Sequence, residues 1–256
     1  MHIIVIRKNF LKKLTIGIIV IFTLAVIAFL LLNHGDKTTI LSGGKNLPIY
    51  SVETQSKDVA ITFDTSWGYD NTTKILDVLD KENVKATFFV IGRWADEFPD
   101  MTREIAKRGH EIGNHSDKHS DFTRISKDQI INEVASADAK ILALTGTRPT
   151  LFRFPEGTYN DSSVAVVEQT DHKCIQWNVD SIDWKNQGAD IEYNRVMKKI
   201  SPGSIILFHN SGKYTPETLT RIINKLKSEG YSFVKVSDLI YKENYTVNSE
   251  GKQIKK

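Results

Sequence analysis

Short apolar runs with strand character alternate with helix-patterned stretches about seven times between residues 58 and 236, and no other feature of this chain restricts its fold as much. Strands separated by helices do not pair as hairpins. They lie parallel, joined by crossovers whose helices cover the sheet. The runs are 58–63 (DVAITF), 86–91 (ATFFVI), 110–113, 150–153, 174–179, 204–208 (SIILF) and 231–236. Between them, Asn71 is placed to N-cap a helix whose Ile75, Leu76 and Leu79 share a face. A second helix is predicted near 101–107. Ser126-x-x-Gln129 reads as a capping box opening a helix with Ile130, Val134, Ala137 and Ile141 on one stripe, closed by Gly146. Further helices begin near Asp161 and cover 191–199 and 215–228. The pattern predicts an α/β fold, a distorted (β/α)7 barrel, with a doubly wound open sheet as the alternative. No G-x-G-x-x-G follows the first strand, so no nucleotide cofactor is expected.

The cations Arg7, Lys8, Lys12 and Lys13 precede residues 14–32 (LTIGIIVIFTLAVIAFLLL), which carry no charge. As a helix this stretch is roughly 28 Å long, close to the ~30 Å of a bilayer core. The expectation is a cytoplasmic tail over 1–13, a transmembrane signal anchor over 14–33 and the remainder outside the plasma membrane, by the positive-inside rule. A cleaved signal peptide, leaving a secreted protein, is the alternative. Against it, the run exceeds a usual signal-peptide core and no clear A-x-A follows. Residues 34–56 read as a stalk, 57–240 as the folded domain and 241–256 as a frayed polar tail. The formal net charge is +3, and removing the four N-terminal cations leaves −1, so no nucleic-acid partner is expected. The single cysteine, Cys174, excludes an internal disulfide and a zinc ribbon, and reads as a small apolar filler.

In barrels of this kind, reactive residues sit just beyond the C-terminal ends of the strands. Here the strands run into Asp64, into Asn114-His115-Ser116-Asp117-Lys118-His119, into Arg153-Phe154-Pro155-Glu156-Gly157, into Asp180-Ser181-Ile182-Asp183-Trp184, and into His209-Asn210. Acids, bases and potential metal ligands therefore gather at one edge. His115 and His119 are four residues apart, so on one helical turn they would grip a metal ion from the same side. Asp64 ends an apolar strand, where an unpaired carboxylate is costly, and Arg153 is its evident partner. His209 has two candidate partners, Asp183 and Asp180, either of which would raise its pKa toward that of a working acid. Trp184 either lines a sugar groove or fills the core. Trp177, inside a strand run, reads as core.

Taken in order, T-F-D at 62–64, H-S-x-x-H at 115–119, R-F-P-E-G at 153–157, D-S-x-D-W at 180–184 and L-F-H at 207–209 resemble the polysaccharide deacetylases of carbohydrate esterase family 4, the NodB-homology group. The likeness spans about residues 59–236 and is nearest to the sporulation-associated, membrane-anchored deacetylases of Gram-positive spore formers. It implies hydrolysis of N-acetyl groups from the amino sugars of peptidoglycan or a related envelope or spore glycan. It also implies a divalent metal, zinc by preference. Carried over by position, Asp64 is the general base and Arg153 orients it. His115 and His119 are metal ligands. His209 is the general acid, tuned by Asp183. Leu207 and Trp184 wall the acetate pocket beside Asp180, and the Glu156 N–H is an oxyanion donor.

One position departs from the resemblance. The family carries a second aspartate after the base, as third metal ligand, and here Thr65 stands in its place. A hydroxyl is a poorer ligand than a carboxylate, so the metal is expected to be weakly bound unless Asp117 or Asp70 substitutes. This departure supports a second reading, a weak or inactive barrel that binds glycan or a partner. A third reading is hydrolysis of a different amide.

Overall fold

The computed structural model describes residues 46–68 and 71–256. The expected tail at 1–13, the anchor at 14–33, the first part of the stalk and Asp70 lie outside the described residues. Among the described residues, no helix is long and apolar enough to cross a membrane.

The backbone of the fold is β2 (Asp58–Thr65), preceded by the short β1 (Ser51–Val52). Val59, Ala60, Ile61 and Phe63 of β2 are all buried, as expected for a strand covered on both faces. After it come α1 (Thr72–Lys81), β3 (Thr87–Val90), α2 (Gly92–Glu97), α3 (Pro99–Lys107), β4 (Glu111–Asn114), α4 (Lys127–Thr145), β5 (Leu151–Phe152), α5 (Asp161–Glu168) and β6 (Lys173–Cys174). The chain continues through β7 (Val179–Asp180), α6 (Ala189–Lys199), β8 (Ile205–His209), α7 (Thr215–Ser228), β9 (Ser232–Phe233), α8 (Val236–Leu239), β10 (Tyr245–Val247) and β11 (Lys252–Lys255). The capping box at Ser126 and Gln129 forms as expected, and Gly146 closes α4 at φ 73°. Asn71 precedes α1, but its side chain does not cap it; the amide donates to the Gly212 carbonyl at 2.9 Å.

The strands pair in the order β6-β5-β4-β3-β2-β8-β7, every pair parallel. The two edge strands, β6 and β7, are consecutive in the chain. From Cys174 to Val179 the backbone spans at most ~18 Å, whereas the edges of a flat sheet of this width would lie ~29 Å apart. The sheet must therefore curl, giving an α/β half-barrel and excluding the flat doubly wound alternative. The run 174–179, expected as one strand, breaks because residues 175–178 cross between the edges, with Ile49 bridging to Ile175. The expected last strand shrinks to β9, which pairs only with Asp58 and Val59 at the entrance of β2.

Both polar ends of the domain are more ordered than their composition suggests. Ile49 and Val52, assigned to the stalk, are buried. The tail expected to fray instead folds: β11 pairs antiparallel with β10 and parallel with β1, and Gln253 is fully buried, exchanging hydrogen bonds with the Tyr241 backbone.

Candidate active site

The register of the sheet sets the site. Asp64 on β2 stands opposite His209 on β8, and Thr62 opposite Leu207, which in turn pairs with Asp180 on β7. Because side chains alternate along a strand, Thr62, Asp64, Leu207 and His209 share one face. They open with His115, His119, Glu156, Trp177, Asp180 and Trp184 into a cleft of ≈ 600 Å³ at the C-terminal ends of the strands.

Asp64 is held by Arg153, whose Nη1 lies 2.8 Å from Oδ1. Arg153 is wholly buried, and the same Nη1 donates to Thr62 Oγ1 at 2.8 Å while Nη2 donates to the Gln176 carbonyl at 3.1 Å. Its guanidinium stacks on Phe89 at 4.0 Å from the ring centroid. Gly113 is required beneath this stack, since a Cβ there would lie 2.5 Å from the Phe89 ring. Burial works against the Asp64 carboxylate, but charge at His115, Arg153 and His209 outweighs it and holds the carboxyl below its ordinary range. Of these, Arg153 is the permanent cation.

His115 is buried and lies beside this pair, with Nε2 3.5 Å from Asp64 Oδ2. Its Nδ1–H donates to the Arg153 carbonyl at 2.8 Å, which fixes the tautomer and leaves the lone pair on Nε2. Burial pushes its pKa down to about 4, and burial also lowers His119, so both imidazoles are neutral near pH 7. The expected helical turn between them does not form. Ser116 and His119 adopt φ of 72° and 62°, and the loop is pinned by Asn114 Oδ1, which accepts from the Ser116 N–H at 2.7 Å. The loop still brings the rings to 5.1 Å between centroids.

His209 chooses Asp183 over Asp180. Nδ1–H donates to Asp183 Oδ1 at 2.7 Å, and the His209 backbone N–H to Oδ2 at 2.8 Å. Ile182, at φ 53°, turns the chain so that Asp183 tucks beneath β8, fully buried, where Thr215 Oγ1 also donates to Oδ2 at 2.8 Å. Burial disfavours the imidazolium, but the Asp183 hydrogen bond and charge prevail and raise the His209 pKa. Asp180 instead accepts from the Ile182 N–H at 2.8 Å.

Glu156 sits at φ 57°, and its exposed side chain borders the cleft. Leu207 is buried and Trp184 largely exposed on the same cleft. Trp177, expected in the core, is only half-buried and lines the cleft, packed against Arg153 at 5.4 Å. Sequence reasoning overlooked Trp67, Ser66 and Ser211, which also line it. Trp67 had a usable signal, a large aromatic three residues beyond a catalytic strand end.

The donor set fits a divalent metal held by two neutral imidazoles. His115 is braced by a backbone carbonyl in the manner of a metal-ligating histidine. Thr65 is completely buried and its Oγ1 makes no hydrogen bond, an orphaned oxygen at the position where the anion would stand. Among the described residues no third acid or histidine completes a cluster. Asp117 does not join the two histidines in such a cluster among the described residues; it lines a separate cavity, with Oδ1 paired to Lys140 Nζ at 2.7 Å.

A family model described as polysaccharide deacetylase matches residues 51–175. The peptidoglycan-N-acetylmuramic acid deacetylase PdaA of Bacillus subtilis is 34% identical over 200 residues, 76% of this chain and 75% of its own length. This chain belongs to the polysaccharide deacetylase family. Among solved structures of the family, a CE4 family pseudoenzyme from Bacillus anthracis is similar at 35% identity, with a TM-score of 0.73 over 77% of this chain and 69% of that one. A mutant of that pseudoenzyme, described as having restored enzymatic activity, matches at 36% identity and the same TM-score, over 77% of this chain and 72% of that one. The chain is thus similar both to a protein named a deacetylase and to one described as a pseudoenzyme.

Proposed function

We propose that this chain hydrolyses N-acetyl groups from the amino sugars of peptidoglycan or a related envelope or spore glycan. The observation that carries this reading is the pairing of Asp64 and His209 on adjacent strands, each held by its own buried partner of opposite charge. Asp64, ionised beside Arg153, takes the proton of the attacking water. His209, kept protonated by Asp183, gives a proton to the departing sugar amine. Glu156 borders the cleft at φ 57°, and its backbone N–H serves as donor to the tetrahedral oxyanion. Leu207 and Trp184 exclude water around the acetyl methyl group. His115 and His119 would hold the divalent metal, zinc by the nature of its donors, which when bound polarises the water and the amide carbonyl.

Thr65 and the likeness to a pseudoenzyme favour a second reading, a barrel that binds glycan with little turnover. Acetate release from peptidoglycan and from chitooligosaccharides, with and without added zinc, separates the two. Release by the wild type that Asp64→Asn abolishes supports the deacetylase. Binding without release supports the second reading. We further propose that residues 14–33 anchor the domain outside the plasma membrane. Full-length protein should then stay with membranes through carbonate extraction, whereas a mature N-terminus near residues 30–45 would reject the anchor.

A further inference from the structure

Trp67 and Trp184 are the most exposed large hydrophobic side chains among the described residues, at 61% and 57%. An indole face left in water is an unused contact surface, and both of these lie on the cleft that holds the acid–base pair. The strand order keeps them apart. Trp67 follows β2, Trp184 follows β7, and β8 with His209 runs between. On its own side Trp67 meets His119 edge-on, with centroids 6.0 Å apart.

The chain under Trp67 is fixed even though most of the ring is open to solvent. The Gly68 carbonyl accepts from Trp94 Nε1 at 2.7 Å and from Asn210 Nδ2 at 2.9 Å. Both donors are themselves buried, and Asn210 also donates to Thr72 Oγ1 at 3.1 Å. A rigid base and an open ring lower the ordering cost of a stacking contact. Ser66 and Ser211 line the same cleft as this ring. An aromatic face rimmed by hydroxyls matches a pyranose, which offers C–H groups on its flat face and O–H groups at its edge. Asp64, Asp180 and Glu156 on the same cleft disfavour a polyanionic ligand.

We propose that Trp67 is the stacking platform for the sugar next to the one whose N-acetyl group reacts, so that the cleft selects glycan chains over single amino sugars. This rests on the glycan reading above. The platform is a specificity device, separate from the reacting groups: its loss weakens the hold on the chain and leaves the acid–base pair intact.

Calorimetric titration in an Asp64→Asn background tests this, with N-acetylglucosamine, the chitin trimer and the chitin pentamer as probes. Trp67→Ala should weaken pentamer binding about 3- to 10-fold, the usual range for one aromatic stacking contact. It should leave monomer binding unchanged, and Trp67→Phe should retain most of the affinity. With Asp64 restored, Trp67→Ala should raise KM for the pentamer more than KM for the monomer. Equal pentamer affinity with and without Trp67, or an equal loss for monomer and pentamer, overturns the proposal and leaves the deacetylase reading standing. Trp67-dependent pentamer binding by a wild type that releases no acetate does the reverse. Thermal unfolding of each variant shows whether the fold is intact; Trp67→Phe, which keeps a ring, decides the case if Trp67→Ala unfolds.

Discussion

Asp183→Asn isolates the contribution of the buried carboxylate to the acid. In the folded protein Asp183 accepts four hydrogen bonds, from His209 Nδ1, the His209 and Trp184 backbone N–H groups and Thr215 Oγ1. A charge-assisted bond of this kind is worth about 1.5–3 kcal/mol. Its loss therefore lowers the His209 pKa, by the linkage of one such bond to the charged form. The sign follows from linkage. His209 is raised in the folded state, so its interaction stabilises fully below the unfolded pKa of ~6.5 and is lost as pH rises through the folded value. Asparagine removes that stabilisation at acid pH and also leaves an amide N–H facing other donors, a penalty of about 1–3 kcal/mol at any pH. The rate should fall at high pH because the acid is then unprotonated. We therefore expect the alkaline limb of kcat/KM to move to lower pH, with kcat/KM above the wild-type limb falling by the factor that the lost bond of about 1.5–3 kcal/mol represents. Proton NMR of the His209 ring follows the same titration without relying on turnover. A variant whose His209 titrates at the wild-type pH would refute the assignment of Asp183 as the group that keeps the acid charged.

Three further perturbations test other parts of the structure. Gly113→Ala should destabilise the domain by about 1–3 kcal/mol, because the new methyl drives Phe89 toward Arg153; a denaturation midpoint within error of wild type would contradict the packing described. Glu192 is buried with one unpartnered oxygen, and burial raises its pKa to about 7. The folded state thus holds this proton after the unfolded chain has lost it, so stability should fall between about pH 4.5 and 7 by roughly 2–3 kcal/mol. Glu192→Gln should abolish that slope in urea denaturation, and an unchanged slope would assign it to another group. Thr65→Asp should lower the melting temperature of metal-free protein, since it buries an unpaired carboxylate, and zinc should restore it. Zinc affinity by competition with a chromophoric chelator should rise at least ~10-fold, and no rise would show that position 65 does not reach the metal.

The strand–helix alternation and the collection of acids and histidines at one sheet edge were legible because both are matters of residue type and period. Period cannot see backbone geometry, and the misreadings cluster there. The helical turn assumed for His115 to His119 fails because Ser116 and His119 take left-handed φ values that polar side chains and Asn114 stabilise. The choice of Asp183 over Asp180 for His209 depends on the left-handed Ile182, a conformation uncommon for a β-branched residue and unreadable from composition. The tail after residue 240 looked unstructured because β10 and β11 bury little apolar surface. They are held by ladder hydrogen bonds to each other and to β1, which leave no mark on hydropathy. Trp177 was misplaced because one strand was read where the chain breaks to cross the gap.

The two halves of the site are built to different standards. In the acid–base half Arg153 makes hydrogen bonds to Asp64, Thr62 and the Gln176 carbonyl, with only its Nε left without a partner, and Asp183 accepts four hydrogen bonds on its two oxygens. The candidate metal half offers two neutral imidazoles, and the position that follows Asp64, where the resemblance expects a carboxylate, holds the buried Thr65. Each buried charge of the first half would be expensive to keep without its partner, about 3–5 kcal/mol on breaking such a pair. That expense is the same whether or not a metal is bound, because neither Arg153 nor Asp183 depends on a metal for its hydrogen bonds. Loss of the carboxylate at position 65 can therefore weaken the metal while leaving the proton-transfer geometry standing. On the proposed reading such a chain keeps the shape of a deacetylase, and its turnover would be conditional on how firmly His115 and His119 alone would hold the ion.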